Sequence, residues 1–480
     1  MQLSEPQMRT PVVFAKGRHP VHLHDIDQDA LFVLNRLNEA GFSAYLVGGG
    51  VRDIYLGKNP KDFDISTNAR PGQVRRLFPR SAIIGRRFRL VEVFFRGGKI
   101  IQVSTLRSLS EHDIDSPDSV LAPNNTFGTL EEDAQRRDLT INSLFFDVGD
   151  ESVIDHVGGV DDLQNGIIRL VGNPERRLHT DPVRVLRAIR HAARSGFVIE
   201  EATWQAILHH RQELSLCPPS RIRDEILKDL RSGAAAGWLE LCLKSGVFAV
   251  IFPLYRDMSL SENEMAIALL RALDRLYKSG QTPKADSFLL SLLVIPYAES
   301  KYQLFSKKWP SAVLYQLGKK LRADIDQELA QPLNLARVIR QEIAALLTQL
   351  ATLIHQRTAD GWPKWLRGKS YFAEAAFLCR LYLKAVGEET ALANINWPPA
   401  PEAPVISKKR GGFAAERLAN LANTLPDTVS EKIPEKLASR VLDQVPGTAL
   451  ENEIGPESKV RHPHPALSGE RRGGIFGLRK

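Results

Sequence analysis

The chain has 480 residues, of which 43% are hydrophobic and 25% are charged, a composition typical of globular proteins with several domains. A total of 64 Lys and Arg against 56 Asp and Glu leaves a formal net charge of +8, which suits a polyanionic partner. The cysteines at positions 217, 242 and 379 form no CxxC pair, so neither a disulfide framework nor a thiolate zinc site is predicted. Every apolar run is too short to span a bilayer, and we expect a cytoplasmic protein with no membrane partner.

The N-terminal third of the chain predicts a small sheet covered by helices. Residues 1–25 are predicted to be a flexible leader. After them, hydrophobic periodicity and turn residues predict a helix (DQDALFVLNRLNEAG), a strand (SAYLVGG), a short helix (GGGVRDIYLGK), a strand (DFDIS), a helix (PGQVRRLF) and a hairpin (FRLVEVFF and KIIQVSTLR) joined at Gly97 and Gly98. We therefore predict an α+β fold with a mixed-sheet head over residues 26–150.

The remainder of the chain predicts mainly helices. Polar, breaker-rich residues 107–130 predict a long surface loop, and strand patterns nearly disappear after about position 175. We divide the remainder into a neck over 151–230, a helical body over 231–395, and a Pro-rich linker with a basic, largely disordered tail over 396–480. The last 25 residues hold six Lys or Arg and two Glu, which suits contact with a single-stranded nucleic acid. A solvated terminus without specific function is the alternative.

Two carboxylates stand two residues apart in the segment KNPKDFDIS. Side chains at i and i+2 of a strand leave it on the same side, so Asp62 and Asp64 are expected about 6 to 7 Å apart at their Cα atoms. The two charges repel each other unless a cation lies between them, and a divalent metal ion is the usual one. A solvated strand edge is the more ordinary interpretation of Asp-x-Asp alone.

A glycine-rich turn precedes this strand. In LVGGGVRD, the pair Gly48 and Gly49 lies between a predicted strand and a predicted helix. A turn without side chains lets the backbone approach a triphosphate closely, and the helix N-terminus adds partial positive charge. Either motif alone is weak evidence, but their succession at this spacing favours a site for a nucleotide and its metal ions.

Four motifs in order, LVGGGVRD, KDFDIS, EEDAQRRDLTINSL and DPVRVLRAIR, resemble those of the class II nucleotidyltransferases. This family contains the bacterial poly(A) polymerases and the enzymes that add CCA to tRNA. The resemblance runs over residues 40–230 and implies a catalytic head, a neck that holds the nucleotide, and a body and tail that hold RNA. It also implies Mg²⁺ or Mn²⁺ as cofactor, ATP as substrate, and two-metal nucleotidyl transfer to single-stranded RNA 3′ ends. Protein partners are not indicated.

The resemblance also implies roles for single residues. It makes Asp62 and Asp64 the metal ligands. It assigns Gly48 and Gly49 to a turn that approaches the phosphates, with Arg52 and Asp53 as a supporting pair. It makes Arg136 and Arg137 phosphate contacts and places Asp138 and Asn142 near the ribose. Arg187 of the neck is also assigned to the nucleotide. Guanidinium groups match phosphate oxygens, and acceptors bind sugar hydroxyls. For Arg136 and Arg137, the alternative interpretation is an ordinary charged helix N-terminus.

The segment TDPVRVLRAIR resembles the part of the family that selects the base. We predict that Asp181 and Arg184 lie on one helix face and present acceptors and donors to the Watson–Crick edge of the incoming base. Arg221 and Glu225 of SRIRDEILKDL are expected to brace that pair. Thr180 stands where the family usually has Glu, and an ordinary intrahelical ion pair is the alternative.

One departure from the family concerns the metal site. Family members commonly have a third carboxylate where this sequence has Gln102, which brings no charge to a magnesium site. Glu92 lies on the partner strand of the predicted hairpin. If the loop is Arg96 to Gly98, Glu92 pairs with Gln102 and can supply the missing charge; with a two-residue loop, Glu92 points to the opposite face.

Two segments favour polyadenylation over tRNA repair. IIGRRFRLVEV resembles the Gly-Arg-Arg-Phe segment of bacterial poly(A) polymerases, and NNTFGTLEEDAQRRDLTINSLFF resembles theirs together with its long preceding loop. We therefore expect a template-independent poly(A) polymerase. The alternatives are CCA or terminal-A addition to tRNA, which uses the same chemistry, and a non-catalytic RNA-binding protein, which the presence of Asp62 and Asp64 disfavours.

Histidine patterns do not predict a further metal site. The His-Asp dipeptides at positions 24–25 and 112–113, and the RHPHP segment near the C-terminus, lack partner His and Asp residues at helical spacing. Neither imidazole ligands nor an appended phosphohydrolase domain is therefore expected.

Overall fold

The computed structural model describes residues 10–85, 89–108, 127–281, 283, 285–357, 361–388 and 397. All of them belong to one unit, Met1–Ser407, and a second unit covers Lys408–Lys480. The predicted basic tail lies outside the described residues. So do most of the predicted long loop and the residues Arg86, Arg87 and Phe88 of the Gly-Arg-Arg-Phe segment.

The described part of the head contains one eight-stranded mixed sheet. Its strands are Val12–Phe14 (β1), Ala44–Val47 (β2), Asp64–Thr67 (β3), Ser81–Ile84 (β4), Leu90–Phe94 (β5), Ile100–Thr105 (β6), Leu144–Asp147 (β7) and Ser152–Asp155 (β8). Their order across the sheet is β1-β8-β7-β2-β3-β6-β5-β4. β3 and β6 pair in parallel, and the other neighbours pair antiparallel.

The prediction of a flexible leader is wrong for its second half. β1 pairs with β8, with Val13 opposite Ile154, and adds the sheet's outermost strand. His19 packs near it, with Nε2 2.9 Å from the carbonyl oxygen of Glu151. A three-residue strand is too short to show a period in the sequence, and it forms here because the edge of β8 offers unpaired backbone groups. The sheet also extends beyond the predicted head boundary, through Asp155.

The described part of the head and neck also contains α-helices. In chain order they are Gln28–Glu39 (α1), Gly49–Tyr55 (α2), Pro71–Leu77 (α3), Leu130–Arg136 (α4), Gly159–Asn165 (α5), Pro174–Thr180 (α6), Arg184–Ser195 (α7), Glu201–His210 (α8) and Pro219–Leu230 (α9). A two-stranded parallel ribbon joins Ile167–Ile168 (β9) to Val198–Ile199 (β10). Helix α1 begins where the Asp27 carboxylate accepts the backbone N–H groups of Asp29 and Ala30, as an N-cap does.

The described part of the body is helical, as predicted. Its helices are Ala235–Lys244 (α10), Val247–Ile251 (α11), Leu260–Lys278 (α12), Asp286–Tyr302 (α13), Ser311–Glu328 (α14), Arg337–Gln356 (α15), Lys364–Arg367 (α16) and Phe372–Ala385 (α17). Helix α13 contains the longest apolar run and is buried between its neighbours. Among the helices that the structure describes, none combines the length and hydrophobicity needed to cross a membrane.

The two faces of the head sheet have different surroundings. Leu46, Ile65 and Val103 point into the main hydrophobic core, which continues into the neck and body. On the opposite face a small apolar cluster of Val47, Leu106, Ala134 and Phe145 packs beneath α4. Because side chains alternate along a strand, the second face also carries the polar residues that begin β3.

Candidate active site

Asp64 is the first residue of β3 and belongs to a row of paired residues across the sheet. It lies opposite Gln102 of β6, and Gln102 lies opposite Glu92 of β5. Directly paired residues on neighbouring strands share a face of the sheet. The hydroxyls of Ser66 and Ser104, one residue pair further on that face, lie 3.0 Å apart. The row therefore places three polar side chains on the face away from the main core.

The hairpin between β5 and β6 has the three-residue turn, not the two-residue one. Arg96–Gly98 form a short 3-10 turn, in which Gly97 has a φ of 72° that side chains rarely adopt. This turn sets the register that pairs Glu92 with Gln102, so the first of the two predicted registers is the one observed. Neighbouring strands lie about 4.8 Å apart, so Glu92 is about 10 Å from Asp64 at the backbone.

Asp62 does not lie on the strand with Asp64, contrary to the prediction. β3 begins at Asp64, and Asp62 belongs to the irregular segment before it. The preceding Lys61 donates a hydrogen bond of 2.7 Å to the hydroxyl of Tyr277 on α12, which holds this segment against the body. A break in the hydrogen-bond ladder at Asp62 frees its side chain from the strict alternation of a strand.

The electrostatic surroundings of Asp64 are suited to binding a cation. Partial desolvation raises the pKa of the Asp64 carboxyl, repulsion from Asp62 raises it further, and the guanidinium of Arg137 opposes both. Among the described residues, neither aspartate has a basic side chain within the 4 Å of an ion pair. Two neighbouring carboxylates without ion-pair partners are a donor set that fits a hard divalent ion.

Gly48 forms a turn that only glycine accommodates. Its φ of 68° and ψ of −128° lie in a region open to glycine, and an added Cβ would be 3.3 Å from Nη1 of Arg137. At Gly49, an added Cβ would lie 3.5 Å from Nη2 of Arg52. The turn therefore lies against two guanidinium groups, which suits a phosphate ligand.

Arg52 is buried behind this turn and is fully engaged. Its Nε and Nη2 donate to Asp53 Oδ1 over 2.9 and 2.7 Å. Its Nη1 donates to Asn142 Oδ1 and lies 3.4 Å from Nδ1 of His191 on α7. The predicted supporting pair is thus brought together with Asn142, and it links the glycine turn to the neck.

A buried carboxylate that the sequence interpretation missed positions both arginines that are predicted to bind phosphate. Asp133 is fully buried and accepts hydrogen bonds from Nε of Arg136 at 2.8 Å and from Nη2 of Arg137 at 3.0 Å. Burial alone would raise the pKa of Asp133, but the two guanidinium charges lower it, so the carboxylate stays ionised. Arg137 also donates to the Ser66 hydroxyl over 3.2 Å. The spacing i, i+3 and i+4 on one helix is the signal that could have revealed Asp133.

Helix α7 of the neck contacts the head through two charged or polar side chains. Arg187 lies 2.8 Å from Oδ2 of Asp138, and although burial alone would raise the pKa of Asp138, the charge of Arg187 lowers it. Burial, followed by the charge of Arg52, lowers the pKa of His191 to about 3, so its imidazole is neutral. No sequence pattern indicated His191. The predicted contacts of Asp138 and Asn142 with the ribose stay predictions.

Asp181 lies between two helices rather than on a helix face with Arg184, which corrects the prediction. It is the C-cap of α6, because the following Pro182 disfavours a helical conformation at the residue before it. Nε of Arg184 is 3.9 Å from the Asp181 carboxylate, whereas Arg221 donates two hydrogen bonds of 2.8 Å, one to each oxygen. The close partner of Asp181 is therefore Arg221, and one Nη of Arg184 donates to the carbonyl of Arg177 over 2.9 Å.

Two neighbours of this pair have other partners. Glu225 was expected to brace it, but its carboxylate binds Arg190 and, at 3.0 Å, Lys228. Glu225 therefore fixes α9 against α7. The hydroxyl of Thr180 donates to the carbonyl of Arg176 over 3.1 Å, within the last turn of α6. Thr180, at the position where the family usually has Glu, therefore satisfies a backbone carbonyl at the C-terminal end of α6.

Comparisons with known proteins support the resemblance. A family model described as the poly A polymerase head domain matches residues 44–169, and one described as the probable RNA and SrmB-binding site of polymerase A matches residues 196–258. Poly(A) polymerase I of Escherichia coli O6:H1 is 45% identical over 258 residues, which are 52% of this chain and 55% of that protein. The Salmonella typhi enzyme of that name is 47% identical over 248 residues, 50% of this chain and 53% of that protein.

A CCA-adding enzyme extends the match to most of a relative. The enzyme of Lactobacillus johnsonii is 33% identical over 295 residues, which cover 61% of this chain and 69% of that enzyme. The chain belongs to the nucleotidyltransferase family of poly(A) polymerases and CCA-adding enzymes. As a member of this family, the chain spans about half the length of the poly(A) polymerases it matches.

Solved structures of this family share the fold. The apo form II structure of a CCA-adding enzyme superposes with a TM-score of 0.55, covering 88% of this chain and 97% of that one at 21% identity. The Thermotoga maritima CCA-adding enzyme complexed with tRNA gives a TM-score of 0.51, also at 21% identity, over 88% of this chain and 96% of that one. The predicted α+β head followed by helices is confirmed.

Proposed function

We propose that this chain is a template-independent poly(A) polymerase, which adds AMP from ATP to the 3′ ends of single-stranded RNA. The observation that carries the proposal is its identity of 45% and 47% to two proteins named poly(A) polymerase I, against 33% and 37% to two CCA-adding enzymes. These matches cover between 50% and 61% of this chain. The higher identity supports adenylation as the activity.

The candidate metal ligands are Asp62 and Asp64. Their carboxylates would hold Mg²⁺, or Mn²⁺ as a similarly hard ion. When bound, such ions supply activation of an RNA 3′-hydroxyl and neutralisation of the charge that develops on the departing pyrophosphate, as in two-metal sites. Glu92 adds a negative charge to the same row in place of an uncharged Gln102.

The triphosphate would lie against the glycine turn. Gly48 leaves its backbone open to the phosphates, and Arg137 contributes a guanidinium that Asp133 holds in one orientation. A preorganised donor does not have to reorient as charge develops, which makes it effective in catalysis. The role of Asp133 is therefore to position Arg136 and Arg137 for the phosphates.

The Asp181–Arg221 pair would read the edge of the base. Adenine presents an amino donor beside a ring-nitrogen acceptor, which a carboxylate and a guanidinium complement as acceptor and donor. Cytosine presents the same order of groups, whereas guanine and uracil present the reverse order. This pair therefore favours ATP and CTP over GTP and UTP, and it does not separate ATP from CTP by itself.

RNA is the expected polyanion. The net charge of +8 favours it, and the family model over residues 196–258 is described as a probable RNA-binding site. We place the activity in the cytoplasm, because Cys217, Cys242 and Cys379 are buried and free, as in proteins of reducing compartments.

Addition of CCA or of a terminal A to tRNA is the second candidate. The 33% identity to a CCA-adding enzyme, over 69% of that enzyme's length, favours it, and the base-edge argument admits CTP. The two candidates differ in the length and composition of the product and in the RNA that is required.

The test is an extension assay with purified full-length protein and Mg²⁺. One RNA is an unstructured oligonucleotide, and the other is a tRNA that lacks its 3′ CCA; ATP and CTP are offered singly and together. Long ladders on the oligonucleotide with ATP alone support polyadenylation. Growth that requires the tRNA and stops within about three nucleotides would replace the proposal with tRNA repair.

A further inference from the structure

Three histidines and two glutamates meet in the neck, in a cluster that shares no residue with the predicted nucleotide site. Glu175 and His179 lie on α6, His209 and His210 end α8, and Glu213 follows in the 3-10 turn Arg211–Leu216. The distances between ring nitrogens and carboxylate oxygens are 2.7 to 3.1 Å. Residues that are up to 38 positions apart in the sequence thus form one cluster.

His210 lies at the centre and has a carboxylate at both ring nitrogens. Nδ1 is 2.7 Å from Oε1 of Glu213, and Nε2 is 2.7 Å from Oε2 of Glu175. A neutral imidazole has one N–H donor and one lone pair, so it can satisfy only one of these two acceptors. The other nitrogen needs a positive charge between itself and the oxygen, either a proton or a metal ion.

Glu213 provides the better place for a metal ion. Its two oxygens face different histidines, Oε1 toward His210 and Oε2 toward Nδ1 of His179 at 3.1 Å. Two imidazole nitrogens and one carboxylate are a common three-residue ligand set for zinc, with a fourth position left to water. Glu175 then accepts the Nε2–H of His210, as carboxylates commonly do behind zinc-bound histidines, and His209 Nδ1 holds Glu175 at 2.8 Å.

The geometry points to a binding site for Zn²⁺ or a similar transition-metal ion, with His179, His210 and Glu213 as ligands and Glu175 orienting His210. Imidazole nitrogen selects such ions over Mg²⁺, which prefers oxygen. A bound ion would join the end of α6 to the segment that follows α8. Its ligand His179 directly precedes Thr180, the last residue of α6. The site is independent of the proposed transfer activity, because it shares no residue with the predicted nucleotide site.

Zinc affinity is measured on full-length protein by competition with a chromophoric chelator, in excess Mg²⁺ to occupy oxygen-rich sites. His462 and His464, which lie outside the described residues, are changed to Gln in every sample to remove the two imidazoles of the RHPHP segment. His179→Gln is the main variant, because its side chain is 54% exposed and we therefore expect the variant to fold like the parent. We expect it to weaken Zn²⁺ binding about a hundredfold or more, since even residues behind metal ligands contribute about 10- to 100-fold.

His209→Gln is the matched control on the same cluster. Its side chain is 73% exposed and contacts Glu175 but not the proposed ion, so we expect a loss of less than about tenfold. Co²⁺ gives a second measurement, a visible absorption of four-coordinate nitrogen and oxygen ligands that His179→Gln removes. Equal Zn²⁺ affinity of the parent and His179→Gln would overturn the proposal and leave a protonated His210 between two carboxylates. An equal loss in both variants would overturn the ligand set.

Discussion

Glu92 lies directly opposite Gln102 across the hairpin of β5 and β6, and Gln102 lies opposite Asp64 on β3. Where relatives commonly place a carboxylate, this chain has a neutral amide, and the next strand carries a carboxylate in the same row. The row thus keeps one negative charge beside the candidate metal ligands while moving it one strand, about 4.8 Å, outward.

Removal of this charge should slow the reaction. We expect Glu92→Gln to lower kcat with RNA and ATP by about 10- to 100-fold, the effect typical of groups that support a metal site from behind its ligands. Addition of Gln102→Glu to that variant should restore most of the rate, because the charge returns to the row. Glu39→Gln is the control, since Glu39 is exposed on α1, on the other side of the sheet. An unchanged kcat for Glu92→Gln would leave Asp62 and Asp64 as sufficient.

Base selection should depend on Arg221 more than on its neighbours. Arg221→Lys keeps the charge but loses the two parallel hydrogen bonds to Asp181. We expect the preference for ATP over GTP, measured as the ratio of their kcat/KM values, to fall about tenfold to a hundredfold, which is the worth of one bidentate contact.

Arg223→Lys is the matched control for that variant. Arg223 lies two residues further on α9 and binds the adjacent Asp224 and the carbonyl of Asn334 instead. Its replacement should leave the preference unchanged. An equal loss of rate with all four nucleotides in Arg221→Lys would refute a base-reading role for the Asp181–Arg221 pair.

The close contact at Gly48 should make this position more sensitive than other glycines. Gly48→Ala combines a strained backbone, which costs about 1 to 3 kcal/mol, with a Cβ 3.3 Å from the guanidinium of Arg137. Gly57→Ala imposes positive φ on alanine too, but its Cβ would meet no atom within 4 Å. Thermal unfolding should show both variants destabilised, while the KM for ATP should rise mainly for Gly48→Ala. Equal KM values in the two variants would argue against phosphate binding at this turn.

The buried imidazole of His191 should make the protein less stable in mild acid. Its pKa is about 3 when folded and about 6.5 when unfolded, so the unfolded state binds more protons between these values. Its contribution to stability is complete above pH 6.5 and is lost as the pH falls toward 3. Between pH 7 and pH 5 the expected loss is about 2 kcal/mol of the free energy of unfolding.

Urea unfolding at pH 7 and pH 5 measures this loss. His191→Gln, which cannot be protonated, should show a smaller decrease in the free energy of unfolding than the parent protein. His22→Gln, at an exposed histidine near the N-terminus, should behave like the parent. The same decrease in all three proteins would mean that His191 is not kept neutral by burial and Arg52.

Local sequence patterns predicted most elements of the head, but they missed its edge strand β1 and, in the neck, the end of α6 at Asp181. Hydrophobic alternation and the glycines at 97 and 98 predicted the hairpin, and the turn length then decided between the two registers. β1 escaped notice because three residues carry no period, and its partner β8 lies more than 130 residues away. Local helical spacing suggested that Asp181 pairs with Arg184, but Pro182 ends α6 at that point and Arg221, from another helix, takes the carboxylate.

The side chains that support the site were the hardest to predict. Asp133 could have been predicted only from its spacing to Arg136 and Arg137, which is that of ion pairs within one helix. His191 and the histidine–glutamate cluster depend on how α6, α7 and α8 pack, which no short window of sequence encodes. Functional groups that are close together in the sequence could therefore be predicted. Groups that are brought together by helix packing could not.

Asp62→Ala tests the central claim most directly. The full-length variant is compared with the parent for transfer of AMP from ATP to an RNA oligonucleotide in Mg²⁺, after equal thermal unfolding midpoints have shown that both are folded. Because Asp62 is exposed and lies before β3, we expect unchanged stability and a loss of transfer of about a thousandfold or more, as for a group that stabilises developing charge. A rate within about tenfold of the parent would contradict nucleotidyl transfer at Asp62 and Asp64.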